Sequence, residues 1–208
     1  MLSARPSGPY TVVVDHQSSH GPEVTHIRGI LLVKSLENLR KAELFERYAA
    51  ELSDTLRNQI EGTMATSWVP VELAEEHYAA CDRLALNEPT IERLGALMAE
   101  SMDSSVMSTL LKTTRQAGVE SMWSALKQTD RLWDRLYQGG KTTLLQLGPK
   151  DLILEHHGIS LAKSRHFRAG LRAYWVALGQ MMTKVVYVKL IRPRVPHPHS
   201  IALAGSWV

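Results

Sequence analysis

The chain has 208 residues, 44% hydrophobic and 22% charged, a balance that excludes a disordered or fibrous protein. That length is ample for a hydrophobic core and predicts one domain over residues 10–208, behind a flexible Pro/Ser/Gly-rich tail at 1–9. A formal charge of +3, a single cysteine (Cys81) and no apolar run of the ~18 residues that a membrane helix needs exclude a disulfide framework and a membrane span.

Tyr10-Thr-Val-Val-Val-Asp15 has the β-branched content of a strand, ended by the polar stretch from His16 to Pro22. Glu23-Val-Thr-His-Ile-Arg-Gly29 reads as a second short strand leading into a helix. From Ile30 the spacing is helical, with Leu32, Leu36 and Leu39 continued by Leu44, Tyr48 and Leu52, and with Leu56 and Ile60 in further turns up to Gly62. In Ser67-Trp68-Val69-Pro70 the proline opens the next helix, where a missing N–H costs nothing. Leu73, His77, Cys81 and Leu84 share its inner face. Asn87-Glu88-Pro89 ends that helix and starts another, striped by Ile91, Leu94, Met98 and Met102. Val106 to Thr114 reads as a helix too. After Gly118 comes the clearest amphipathic helix, with Met122, Leu126, Thr129, Trp133 and Leu136 on one side, stopped by Gly139-Gly140.

Beyond Gly140 the period falls to two. Lys141–Leu147 and Asp151–Glu155 read as strands around Gly148-Pro149-Lys150. A long helix introduced by Gly158 and Ser160 runs to about Met182, with Phe167, Leu171, Trp175, Leu178 and Met182 on one side. Lys184–Ile191 and Ile201–Val208 are strands flanking the turn Arg192-Pro-Arg-Val-Pro-His-Pro-His199. The C-terminal third is thus ββαββ, and the predicted class is α+β, a helical layer on a small antiparallel sheet.

The charge is unevenly spread. Residues 43–103 carry four bases and 13 acids, whereas residues 104–208 carry 15 bases and five acids. Two blocks of opposite sign predict contact between the two parts of the chain or between subunits. The bases do not form a run, which argues against a nucleic-acid partner.

Signatures of catalysis are absent: there is no Walker loop, G-x-G-x-x-G, H-E-x-x-H or G-x-S-x-G. Gly139-Gly140-Lys141-Thr142 resembles the end of a phosphate loop, but a strand follows where a helix should start. No enzyme is expected. The adjacent His156 and His157 point to opposite faces of a strand, and His197 and His199 lie between prolines without a nearby carboxylate, so they read as solvated turn residues and no metal site is expected. His77, on an apolar face beside Cys81, reads as a core histidine, with an axial haem ligand as the sharper alternative. Met98, Trp123 and Trp133 are the expected lining of an adaptable apolar pocket, with ordinary core residues as the plainer reading. Arg165 and Arg168, on one basic helix segment, are the expected anchors for an anionic group.

The order of several short motifs carries a resemblance. Trp68-Val69-Pro70 precedes two Ala/Leu/Met helices with Gly95 in the second, and Gly139-Gly140 precedes a two-strand unit. Phe167-Arg168-Ala169-Gly170-Leu171 lies on the long helix, and Ser206-Trp207-Val208 ends the chain. Over residues 24–208 this resembles the myxobacterial DUF2378 family. It is more distantly similar to the superfamily of vinyl-reductase-type sensor domains, haem–NO-binding domains and TRAPP-type trafficking subunits. The resemblance implies a dimeric domain without catalytic activity, with a hydrophobic pocket between helices and sheet for haem, small aromatic effectors or acyl chains. The chain lacks the haem branch's Tyr-x-Ser-x-Arg run and the vinyl-reductase-type cysteine cluster, so no cofactor is expected. Together these readings predict a cytoplasmic, non-enzymatic sensor or adaptor that binds a small hydrophobic ligand and couples it to homodimer or protein-partner contacts. The alternative is a purely structural, homo-oligomerising module with a filled core.

Overall fold

The computed structural model describes residues 11–14, 22–101 and 121–208. The expected helix at Val106–Thr114, and with it Met102 and Met107, lies outside them.

A five-stranded antiparallel sheet has the order β1-β5-β6-β8-β7, built from β1 (Thr11–Val14), β5 (Lys141–Gly148), β6 (Asp151–His157), β8 (Ser200–Trp207) and β7 (Val186–Ile191). The class is α+β, as expected. The β5–β6 hairpin is in register from Lys141↔His157 to Gly148↔Asp151, and β6 pairs along its length with β8. β6 is buried continuously from Leu152 to His156, because a central strand covered on both faces shows no alternation. A second, three-stranded sheet was not anticipated. It joins β2 (His26–Arg28) to β3 (Trp68–Pro70) and β4 (Tyr137–Gln138), all antiparallel.

The helical layer consists of α1 (Ile30–Lys41), α2 (Phe45–Ala49), α3 (Asp54–Glu61), α4 (Val71–Arg83) and α5 (Glu88–Ser101). The apolar repeat that continues past Leu39 is divided among three helices. Glu43 breaks the first with φ 58, and Ser53 caps α3 by accepting from Leu56 N at 3.3 Å. Pro70 closes β3 and caps α4 from outside, so its ring sits one residue ahead of the expected helix. The amphipathic segment after Gly118 is likewise two helices, α6 (Ser121–Leu126) and α7 (Thr129–Leu136).

A 3-10 turn at Ser160–Lys163 precedes α8 (Arg165–Gln180), the helix that joins the two layers. Ser164 caps α8 by accepting from Phe167 N at 3.1 Å. A Cβ at Gly95 on α5 would stand 2.3 Å from the carbonyl oxygen of Gly170 on α8, so only glycine permits this crossing. Gly139 and Gly140 serve backbone geometry: their φ values are 86 and 64, and a Cβ on Gly139 would meet Glu23 O at 2.3 Å.

Candidate functional site

α1 and α5 on one side, α7 and α8 on the other, and the end of β6 enclose a cavity of about 110 Å³. Its wall is apolar for the most part, with Leu31, Leu94, Met98, Leu132, Leu136, Phe167 and Leu171 among its residues. The period-3.6 stripes of four helices converge there, which is why the lining is aliphatic and aromatic.

Five buried polar atoms belong to residues of that wall. Asn38 Oδ1, His156 Nε2, His166 Nδ1, Tyr174 Oη and Trp175 Nε1 all belong to cavity-lining residues, are buried, and find no protein hydrogen-bond partner among the described residues. A buried polar group left unmatched costs roughly 1–3 kcal/mol, so such groups in native proteins ordinarily face water or a ligand.

His156 is the most constrained of the five. It lies opposite Thr142 in the β5–β6 register, and its Nδ1 shares a hydrogen bond with Thr142 Oγ1 at 3.1 Å. Its ring is stacked at 4.7 Å on Trp133, while the Trp175 ring lies nearly parallel at 6.4 Å. Burial, with His157 beside it, pushes its pKa down to about 3, so the imidazole is neutral. His166 is also held neutral, at about 4, by burial against the opposing pull of Asp82. Burial raises the Tyr174 phenol above its usual range and keeps it protonated.

Met98 and Trp133, two of the expected pocket residues, line this cavity. Trp133 is fixed by donating Nε1 to Gly139 O at 2.9 Å and by stacking on Tyr137 at 4.1 Å. Trp123 lies elsewhere: it donates to Pro149 O at 2.7 Å and meets Trp207 edge-on, beside the β6–β8 core. Arg165 donates to Leu86 O at 2.8 Å, and Arg168 donates to Ala162 O at 2.7 Å and Lys163 O at 2.8 Å. Both guanidiniums thus hold backbone carbonyls, and neither residue lines the cavity.

His77 does not line the cavity either. Both its nitrogens are engaged, Nδ1 with Tyr48 Oη at 2.7 Å and Nε2 with Ser35 Oγ at 2.9 Å, with Cys81 Sγ at 3.8 Å. It is a bonded core histidine. The signal that points to His156 is a polar residue on the strand face shared with Leu152 and Leu154, which its adjacency to His157 obscures. Asn38, Tyr174 and His166 carry a similar signal, each a polar group beside an apolar stripe.

A neighbouring cavity of about 70 Å³ lies between α6, α7 and the sheet, lined by Met122, Leu126, Leu154, Val188 and Leu203. Trp175 and Leu132 belong to the walls of both cavities.

No family model matches the chain, and no curated protein matches it. Solved structures do. An H-NOX domain studied for haem distortion superposes with a TM-score of 0.61 at 8% identity, over 87% of this chain and 95% of that one. The fold is that of the H-NOX domains. A mutant H-NOX from T. tengcongensis matches with a TM-score of 0.60 at 9% identity, over 87% of this chain and 97% of that one. The Fe(II) unliganded H-NOX protein from K. algicida gives 0.56 at 6% identity, over 88% and 97%. Another H-NOX match is an oxygen complex related to soluble guanylate cyclases, at a TM-score of 0.58. The expectation of a domain without a cofactor is overturned by these matches, since the structures that share the fold are described as H-NOX domains, several of them by their haem or iron. It rested on the missing Tyr-x-Ser-x-Arg run and the missing cysteine cluster. The H-NOX fold supports the haem–NO-binding part of the resemblance, while no finding supports the DUF2378 part.

Proposed function

We propose that this H-NOX-fold domain is a non-enzymatic sensor whose cavity between the helical layer and the large sheet holds a small ligand, with haem as its cofactor. One observation carries the reading: His156, a residue of the apolar cavity wall, is a neutral, buried imidazole whose Nε2 has no protein partner among the described residues. His156 Nε2 would be the group to hold the iron, with the other ring nitrogen hydrogen-bonded to fix ring and tautomer. Thr142 Oγ1 accepts from Nδ1–H in this arrangement, and Trp133 and Trp175 hold the ring plane. Bound there, haem would supply gas-binding iron chemistry, and the cavity of about 110 Å³ would have to widen to admit it. Phe167, Leu171 and Met98 keep that space apolar. The propionate end departs from a charged design, since no Lys or Arg lines the cavity among the described residues. Neutral donors, Tyr174 Oη and Trp175 Nε1, are the groups on hand for it.

A second reading rests on size. At about 110 Å³ the cavity is near the roughly 150 Å³ that admits a benzene-sized molecule, and an aromatic ring bearing hydrogen-bonding substituents would match the five polar atoms. In either case occupancy would be coupled to contacts with a second copy or a partner protein.

Titration with hemin tests the choice. A Soret shift that saturates at one hemin per chain is expected, lost in His156→Ala and kept in His77→Ala. No saturable shift refutes haem, and native mass spectrometry for a retained small molecule then decides the second reading.

A further inference from the structure

We propose a divalent transition-metal site, suited to zinc, formed by Glu23, His197 and His199 at the edge of the fold and independent of the cavity. The ligand atoms of these three residues all lie within 4.8 Å of one another. His197 and His199 alone make an incomplete site; the fold brings the missing carboxylate from the other end of the chain. Glu23 Oε2 stands 2.8 Å from His199 Nδ1, and the two imidazoles are 5.4 Å apart at 88°. Two imidazoles and a carboxylate are a standard zinc donor set, leaving a fourth position for water. Zinc donors at about 2.0–2.1 Å from the metal lie roughly 3.3 Å from one another in a tetrahedron. Small rotations of these partly exposed side chains therefore close the cluster around an ion.

What separates this cluster from a chance meeting of surface side chains is that the Glu23 segment and the histidine turn are each fixed independently of the other. Glu23 is bracketed by Gly140 N donating to Pro22 O at 2.6 Å and Val24 N donating to Gly158 O at 2.7 Å. Gly139 and Gly158 permit that close approach, since a Cβ on either would meet Glu23 O or Pro22 O within 3 Å. The histidine turn is pinned at its far end by Glu155, a carboxylate only 1% exposed, which accepts from Arg194 N at 2.7 Å and Arg194 Nε at 3.0 Å. At its near end Ser200 N donates to His197 O at 3.1 Å and Ile159 N to His199 O at 2.8 Å. Pro196 and Pro198 restrict φ on either side of His197. The donors are thus presented by two rigid, non-adjacent segments. Without metal, the same groups make a Glu23–His199 pair and a bond from His199 N to His197 Nδ1 at 3.2 Å. A bound ion would replace that pair and fasten the segment before β2 to the β7–β8 turn.

The test is competition for zinc against a chromogenic chelator, using the full chain, with melting followed in parallel. One zinc per chain is expected, with a raised Tm, affinity lost in His199→Ala and reduced at least roughly tenfold in Glu23→Gln. Glu23→Gln keeps the side chain's shape and is checked for folding by circular dichroism. A folded Glu23→Gln that binds zinc as tightly as the parent overturns the site. So does parent binding that needs millimolar zinc.

Discussion

Three histidines in the interior, His77, His156 and His166, are held neutral by desolvation, with pKa values near 3, 3 and 4 against an ordinary 6.5. The unfolded chain therefore binds more protons than the folded one between those values, and acid favours unfolding. Stability from this source is complete above about pH 6.5 and falls steadily as pH drops toward 4. Urea denaturation at pH 7.5, 6 and 5 measures it, and midpoints unchanged across that range would show that the imidazoles are not buried neutral. Only His77 has both ring nitrogens bonded, to Tyr48 and Ser35. Ser35 itself lines the cavity, so the bonded histidine buttresses one wall while His156 presents an unmatched nitrogen at another.

At the scale of elements, the α5–α8 crossing decides how closely the two layers approach. Gly95→Ala drives a Cβ into the Gly170 backbone and is expected to cost about 1–3 kcal/mol. Gly170→Ala meets nothing within 4 Å and is expected to be neutral or to gain up to about 1 kcal/mol from helix propensity. Chemical denaturation of the pair checks this, and equal effects would disprove the asymmetry of the crossing. Both glycines stand out in the sequence, but which one is sterically bound does not, because that depends on the partner backbone. Similarly, the stripe from Leu32 to Ile60 reveals its buried residues and hides the breaks at Glu43 and Ser53, since a chain can turn without losing its apolar period. The β5–β6 hairpin, α8 and the β7–β8 pair are legible because local period and turn residues agree. The three-stranded sheet is not, because its strands are two or three residues long and pair across 40–44 positions (β2–β3) and 110–112 positions (β2–β4).

For the molecule as a whole, the acidic and basic blocks meet inside one chain. Arg172 of α8 pairs with Glu92 and lies 3.7 Å from Glu88, both on α5. Asp82 of α4 receives the backbone N–H groups of Arg165, at 3.2 Å, and His166, at 2.6 Å, at the positive end of α8. Asp82→Ala is expected to cost about 1–2 kcal/mol in urea denaturation and less in high salt. A stability unchanged by the substitution would show that this joint between the blocks carries no energy. The opposite charges recorded in the sequence are in this way partly accounted for by α4, α5 and α8, a pairing that composition cannot distinguish from contact between subunits.

Trp175 stands in the walls of both cavities. It is a party wall, and space taken on one side is space denied or granted on the other. An occupant that displaced this indole from the first chamber would move it into the space that Leu203 and Val188 line in the second. Filling one chamber would then be felt in the other.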